Sequence, residues 1–269
     1  MSSTIFDPEA SQEVYNFWLR SPAPEKCYTI FFTPRSGSSW LTSILSKTKI
    51  MGTPGERFNP NFMPSSTRAK GARNLAQYIE AISRHEAHGG VFGFEITYHQ
   101  LRRIFENDAT FMDHFADSNF FWLIRRDIVS QGVSLDKMVQ TQIGHAAQHG
   151  SDAIEKSDAI FTYDEERIRK WIIHIRNAEI GTEGLINHYK LSPKRLSYES
   201  MMDMGSQKVV NIFSEALGID SSISEEISSE HRKIGTEKNS AFAERFRSES
   251  GEFVKRLEEE RAEMLAKFP

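Results

Sequence analysis

The chain has 269 residues, 39% of them hydrophobic and 26% charged, the balance of a soluble globular protein with room for one large domain and a substantial core. A net charge of −4 gives no whole-molecule field for nucleic acid or an anionic membrane, so any anion site must be a local gathering of Arg and Lys. The single cysteine, Cys27, excludes an intramolecular disulfide and reads as a buried, inert thiol in a reducing cytoplasm.

Met1 to Ala10 lacks the basic start and apolar run of a secretory signal, and no apolar run approaches the ~20 residues that span a bilayer. A cytoplasmic protein of one domain, residues 1–269, is the expectation. The spacing of Val14, Phe17 and Trp18 predicts a short helix, stopped by Ser21-Pro22-Ala23-Pro24. Tyr28 to Phe32 reads as a buried strand, followed by a helix over Ser38 to Ser46. Pro54, Gly55, Pro60 and Pro64 mark an irregular loop. Asn74 to Glu86 is predicted helical, Val91 to Ile96 a second buried strand, and Tyr98 to Phe105 a helix. Phe120 to Ile124 is a third apolar strand, with Asp127 as cap of the helix after it. The region from Gln140 to Thr162 reads as polar and irregular. Tyr163 to Tyr189 is helical through Ile168, Trp171, Ile172, Ile175 and Ile180, and Leu196 to Tyr198 is a short fourth strand. Helices over Ser206 to Leu217 and Gly251 to Phe268 complete the chain. Strands alternating with helices imply an α/β fold with a central, mostly parallel β-sheet flanked by helices. In such sheets ligands gather beyond the carboxyl ends of the strands.

Two strand ends carry anion chemistry. After the first strand, Thr33-Pro34-Arg35-Ser36-Gly37-Ser38-Ser39-Trp40 is a tight turn rich in hydroxyls that opens a helix. Backbone N–H groups and a positive helix end would converge there on a phosphate, with Arg35 adding a fixed charge and Ser36, Ser38 and Ser39 adding donors. The G-x-x-x-x-G-K-[ST] spacing of an ATP-type P-loop is absent. An ordinary serine-capped turn is the plainer reading. After the third strand come Arg125-Arg126-Asp127, with Ser134 eight residues beyond Arg126 and about two helical turns along. Arg125 and Arg126 would make a second anion pocket, with Ser134 reaching a phosphate held by Arg126; the alternative is a salt bridge of Arg125 or Arg126 with Asp127 or Glu95. Two pockets after successive strands suit a nucleotide with separate 5′ and 3′ phosphates. The nine histidines and one cysteine show no metal-ligand spacing, and His145 and His149 alone make a weak pair, so no metal is expected.

Together these blocks resemble sulfotransferases that use PAPS (3′-phosphoadenosine 5′-phosphosulfate). Pro34 through Trp40 looks like their 5′-phosphosulfate loop, and Arg126 with Ser134 matches the Arg and Ser that hold the 3′-phosphate. Gly55-Glu56-Arg57-Phe58-Asn59-Pro60, Phe92-Gly93-Phe94 with Tyr98-His99-Gln100-Leu101, and Arg125 through Ser134 are similar to the bacterial carbohydrate branch typified by trehalose 2-sulfotransferase. Those blocks fall in order over roughly residues 28 to 200. The resemblance implies a three-layer, P-loop-like fold and sulfuryl transfer from PAPS to a hydroxyl of a carbohydrate, glycolipid or related small acceptor. It further implies Glu56 as general base, with His99 as the alternative, and Arg35 as stabiliser of the leaving phosphate. Trp40 would stack on adenine or serve as a helix aromatic. His231-Arg232-Lys233 resembles the basic loop closing over the 3′-phosphate, or is a solvated basic turn; the tryptophan usual there is missing, with Ala241-Phe242 in its place. Family members are often dimers, so a homodimer is left open. The rival readings are an ATP-type phosphotransferase, which calls for a Walker lysine and a Mg²⁺-binding acid, and an inactive member that only binds adenosine 3′,5′-bisphosphate.

Overall fold

The structure, a computed structural model, describes residues 5–142, 150–220 and 236–269, and of 150–154 the backbone alone. Gln12–Trp18 (α1) is capped by Ser11, and its Tyr15 is buried while Val14 and Phe17 lie exposed, so the apolar spacing in this helix does not mark a core face. Lys26–Phe32 (β1) leads into Ser38–Lys47 (α2). The segment expected to be an irregular loop contains Met63–Lys70 (α3), with Pro64 near its start, where a missing N–H costs nothing, and Gly71 at its end. Leu75–Glu86 (α4) is capped by Asn74 and precedes Val91–Ile96 (β2). Tyr98–Ile104 (α5) begins in a capping box of Thr97 and Gln100, and Asp108–Phe115 (α6) follows it. Asn119–Ile124 (β3) runs into Ile128–Thr141 (α7), where the Asp127 side chain accepts from Ser130 N–H at 3.0 Å, as its capping position predicts.

The stretch expected to be irregular after α7 includes Gly150–Ile160 (α8), followed by Glu165–His188 (α9). Lys194–Ser197 (β4) passes directly into Tyr198–Met204 (α10), so the fourth strand ends one residue earlier than expected, at a Ser197 cap. Ser206–Leu217 (α11), Glu237–Glu249 (α12) and Gly251–Leu265 (α13) follow. The polar α12 went unpredicted because its apolar positions are few, and α6, apolar at Phe111, Met112 and Phe115, because it spans little more than two turns. Among the described residues no helix is long and apolar enough to cross a membrane.

The four strands form one parallel sheet in the order β2-β1-β3-β4, flanked by helices, as the alternation of elements requires. Side-chain alternation divides its faces. Phe31, Phe92, Phe94, Ile96, Trp122 and Ile124 pack with α4, α5, α6 and α9 on one side. Tyr28, Ile30, Phe32, Phe121 and Leu123 pack with α2 and α11 on the other. β1 connects to a neighbour on one side and borders β3 on the other, which makes the crevice between their carboxyl ends the place for a ligand.

Gly93 shows how tightly the second face is built. A Cβ there would lie 2.0 Å from Cζ of Tyr28, whose ring is fully buried and whose hydroxyl donates to Met51 O at 2.9 Å. Gly93→Ala is therefore expected to lower stability by about 1–3 kcal/mol through overpacking, measured by urea unfolding.

Candidate active site

The β1–α2 turn is shaped by two residues with positive φ, Arg35 (67°) and Gly37 (88°). Only glycine suits the second: a Cβ would come 2.7 Å from the Tyr198 ring. Gln131 of α7, wholly buried, ties the turn down by donating to Thr33 Oγ1 at 2.8 Å and to the Pro34 carbonyl at 2.7 Å. The turn thus delivers the start of α2, with its outward N–H groups, to the β1–β3 crevice. Ser36 is buried there and its Oγ has no hydrogen-bond partner among the described residues. Arg35 Nε donates to Ser134 Oγ at 3.1 Å. Burial, and then the nearby Arg125, push the Arg35 guanidinium down to about 10, so it remains charged at neutral pH.

Arg125 lies over the Tyr198 ring at 5.1 Å, and its buried Nε lacks a partner among the described residues. Two arginines thus oppose each other at the sheet's ligand crevice, and an oxyanion between them would convert repulsion into two attractions. Arg126 and Ser134, the two residues expected to hold a 3′-phosphate, have separate partners in the protein. Ser134 meets Arg35, while Arg126 is exposed and donates to the Phe268 carbonyl at 2.7 Å and to Pro269 O at 3.2 Å. Asp127 pairs with Arg247 at 2.7 Å. Below both arginines sits Arg261, 1% exposed, which donates to the carbonyls of Arg125 (2.9 Å) and Arg126 (2.8 Å). Its charge is met by a two-pronged contact with buried Glu179, at 2.9 and 2.8 Å.

On the other side of α2 lies a cavity of about 680 Å³. Its wall includes Ser39, Thr42, Ser43 and Ser46, the polar stripe of α2 at helical spacing, with Lys47 beyond. Glu56 and Glu95 supply two carboxylates, and Ser65, Ser66, Tyr78 and Phe62 line it further. Glu56 Oε2 accepts from Asn59 Nδ2 at 2.7 Å and from Gln100 Nε2 at 2.5 Å. The Gln100 oxygen already takes the Thr97 N–H at 3.0 Å, which fixes the amide so that its NH₂ faces Glu56. Arg57 also lines the cavity, with its guanidinium paired to Glu86 (2.9 Å) and donating to the Thr53 carbonyl (2.6 Å). Glu95, 5% exposed, is hydrogen-bonded by Ser38; burial first, and Glu56 second, raise its carboxyl to about 8.

The serines of the first loop therefore divide: Ser36 faces inward at the turn, Ser38 bonds Glu95, and Ser39 lines the cavity. Trp40 is half-buried against the α2 core. His99 stacks on His174 at 4.0 Å, and its Nε2 must carry the proton because it meets the His174 carbonyl at 3.1 Å. Burial and His99 push His174 down to about 4. Arg232 and Lys233, like His145 and His149, lie outside the described residues. The Cys27 thiol is pushed up to about 12 by burial, which makes it unreactive. Gln131, Asn59, Gln100 and Glu95 belong to the candidate site, and sequence reasoning gave them no role in binding or catalysis, whereas Arg125 was already expected at the second anion pocket. The one available signal was position, since Glu95 sits near the carboxyl end of a strand and Asn59 and Gln100 lie inside the resembling blocks.

The chain matches the sequence model of the Stf0 sulphotransferase family over residues 27–249. It belongs to that family, and is a sulfotransferase by class. The match favours this class over an ATP-type phosphotransferase. No curated protein matches the chain.

Two outcomes follow from the buried charges. Glu179→Ala leaves Arg261 charged and uncompensated, and should cost about 3–5 kcal/mol in urea unfolding. Glu95 in the folded state holds a proton that the unfolded chain releases between about pH 4.5 and 8. Stability should therefore fall as pH rises through that window. Glu95→Gln should flatten the fall, so that its melting temperature exceeds the wild type's increasingly from pH 5 to 8.5; parallel curves would contradict the burial argument.

Proposed function

We propose that this chain, as one domain over residues 1–269, transfers a sulfuryl group from PAPS to a hydroxyl of a carbohydrate, glycolipid or related small acceptor. The observation that supports this reading most is the use of one helix for two jobs. The turn that opens α2 carries Arg35, with Arg125 near it, while the hydroxyl stripe of α2 lines a cavity holding Glu56. A buried unpartnered Ser36 Oγ and opposed arginines suit a phosphate-bearing donor.

PAPS, when bound, supplies the sulfuryl group and leaves as adenosine 3′,5′-bisphosphate. Arg35, Arg125 and the α2 N–H groups would bind the 5′ side. Arg126 and Ser134 would serve the 3′-phosphate, Arg126 by exchanging its contacts with the chain's last carbonyls; Arg232 and Lys233 would add charge there, and Trp40 an aromatic face. Arg35 stays protonated at neutral pH, so it stabilises developing charge rather than giving up a proton. Glu56 takes the proton of the attacking hydroxyl, and Asn59 and Gln100 hold its carboxylate ready. His99 is the weaker candidate for this step, because one ring nitrogen is committed to the His174 carbonyl and only Nδ1 remains to accept.

Calorimetric titration with adenosine 3′,5′-bisphosphate should give micromolar binding, reduced at least ~10-fold in Arg35→Ala and Arg125→Ala by loss of a charge-assisted hydrogen bond. Glu56→Gln should bind the bisphosphate normally while kcat with PAPS falls ~10²–10⁴-fold. No bisphosphate binding, or tight ATP binding in its place, would sink the reading. Binding without transfer to any acceptor would leave an inactive member.

A further inference from the structure

Glu95 has no place in the chemistry so far, yet its surroundings are built for one. It sits near the carboxyl end of β2, on the face covered by α2, in a strand otherwise made of Val, Phe, Gly and Ile. Its N–H donates to the Gly55 carbonyl at 3.0 Å, which pins the Glu56 loop to the same strand. Ser38 hydrogen-bonds the carboxyl, but Oε2 is buried and has no partner among the described residues. An unsatisfied buried carboxyl oxygen is costly and unusual in a well-packed protein. Here that residue forms part of the wall of the hydroxyl-lined cavity, near enough to Glu56 for the two charges to oppose each other.

We propose that Glu95 is a specificity-determining residue of the acceptor cavity, whose Oε2 hydrogen-bonds a second hydroxyl of the acceptor while Glu56 faces the reacting one. The assignment rests on the sulfotransferase reading and adds to it the residue that selects acceptors with two hydroxyls. The surrounding charges favour this use. Glu56 and Arg57 approach from the loop after α2, Lys47 lines the cavity from the end of α2, Tyr78 from α4, and Tyr28 lies beneath on β1. Burial first, and the neighbouring Glu56 second, push the Glu95 carboxyl up to about 8, which leaves it in its acid form at neutral pH. An acid-form carboxyl both donates to and accepts from an alcohol, whereas it offers no charge to hold an ammonium. A cavity with Lys47 and Arg57 on its wall further disfavours an amine acceptor. Simple alcohols would satisfy Glu56 and leave Glu95 unpaired.

The test compares Glu95→Gln, which keeps shape and hydrogen bonding without ionising, with Glu95→Ala. The probes are methyl α-glucoside, trehalose and myo-inositol as polyols, and 1-butanol and 2-phenylethanol as simple alcohols, each with PAPS. Bisphosphate titration runs first on all three proteins. At pH 7 the polyol KM should rise ~5–10-fold in Glu95→Ala with kcat changed less, and stay within ~3-fold in Glu95→Gln, the size of one hydrogen bond. The KM for simple alcohols should not move. Between pH 7 and 9 the wild-type polyol KM should rise, and that of Glu95→Gln should stay flat. A carbon-13 titration of the glutamate carboxyls checks the same proton without turnover or the alanine variant, and should show Glu95 titrating far above an ordinary glutamate. An ordinary titration, an unchanged polyol KM in Glu95→Ala, or use of simple alcohols alone overturns the assignment. So does a protein that binds bisphosphate and sulfates none of the polyols, which leaves the donor reading standing. Failure to bind bisphosphate fells the reading beneath it.

Discussion

Arg261 is the constraint on which the ligand crevice depends. A strand that ends in two consecutive arginines has no intrinsic reason to hold them in place, since their charges repel and their side chains are long. The protein fixes the backbone instead. One guanidinium, 1% exposed, donates to both arginine carbonyls and pairs with Glu179 from α9. A planar fork with five donors can serve a carboxylate and two carbonyls at once, which an ammonium cannot do with the same geometry. Because the pair is buried, it contributes little as a net attraction but penalises heavily any arrangement that separates it. The positions of β3, α9 and α13 are thereby made mutually dependent, and α13 carries Phe268 to its edge-on contact with Trp122, 5.0 Å between ring centres.

α2 then sorts the site by charge. Its apolar side, Leu41, Ile44 and Leu45, is buried against the sheet, leaving the polar stripe for the cavity and the N-terminus for the arginines. The helix dipole points its positive end at the crevice where anions would gather. Glu56 shares the cavity with the hydroxyls along the flank of α2, while the Glu95 carboxyl is hydrogen-bonded by Ser38 in its first turn. A ten-residue helix thus serves both the cationic turn before it and the cavity that holds Glu56.

Much of the fold could be read from the chain. The buried strands stand out because apolar runs bounded by Gly, Pro and polar residues have few other uses, and Val91–Ile96 and Ser206–Leu217 occur over the bounds expected. Met63–Lys70 escaped because Pro64 reads as a breaker unless one knows that the helix starts there. The site was legible in its parts but not in its pairings. Arg35 and Ser134 are 99 residues apart, and nothing local shows that they meet. Glu179 and Arg261, 82 apart, look like ordinary surface charges on amphipathic helices. Glu95 was hidden by its neighbours, because a single acid in an apolar strand is easily read as strand first and as chemistry second.

That hidden acid bears on why the two halves of the site belong together. On the proposed reading, a proton moves onto Glu56 as negative charge grows beside Arg35. Negative charge is thus withdrawn from the acidic cavity and gained at the arginines, in the direction that the fixed charges already favour. Before transfer, Glu56 carries its charge near the buried carboxyl of Glu95, which resists ionising beside it. The acid form of Glu95 spares Glu56 a second negative charge at its side, while charge arriving at the crevice relieves the repulsion between Arg35 and Arg125. The contact between the two arginines is a cost held in place by packing and reduced as the reaction advances, which is the sense in which a preorganised site favours its transition state over its ground state.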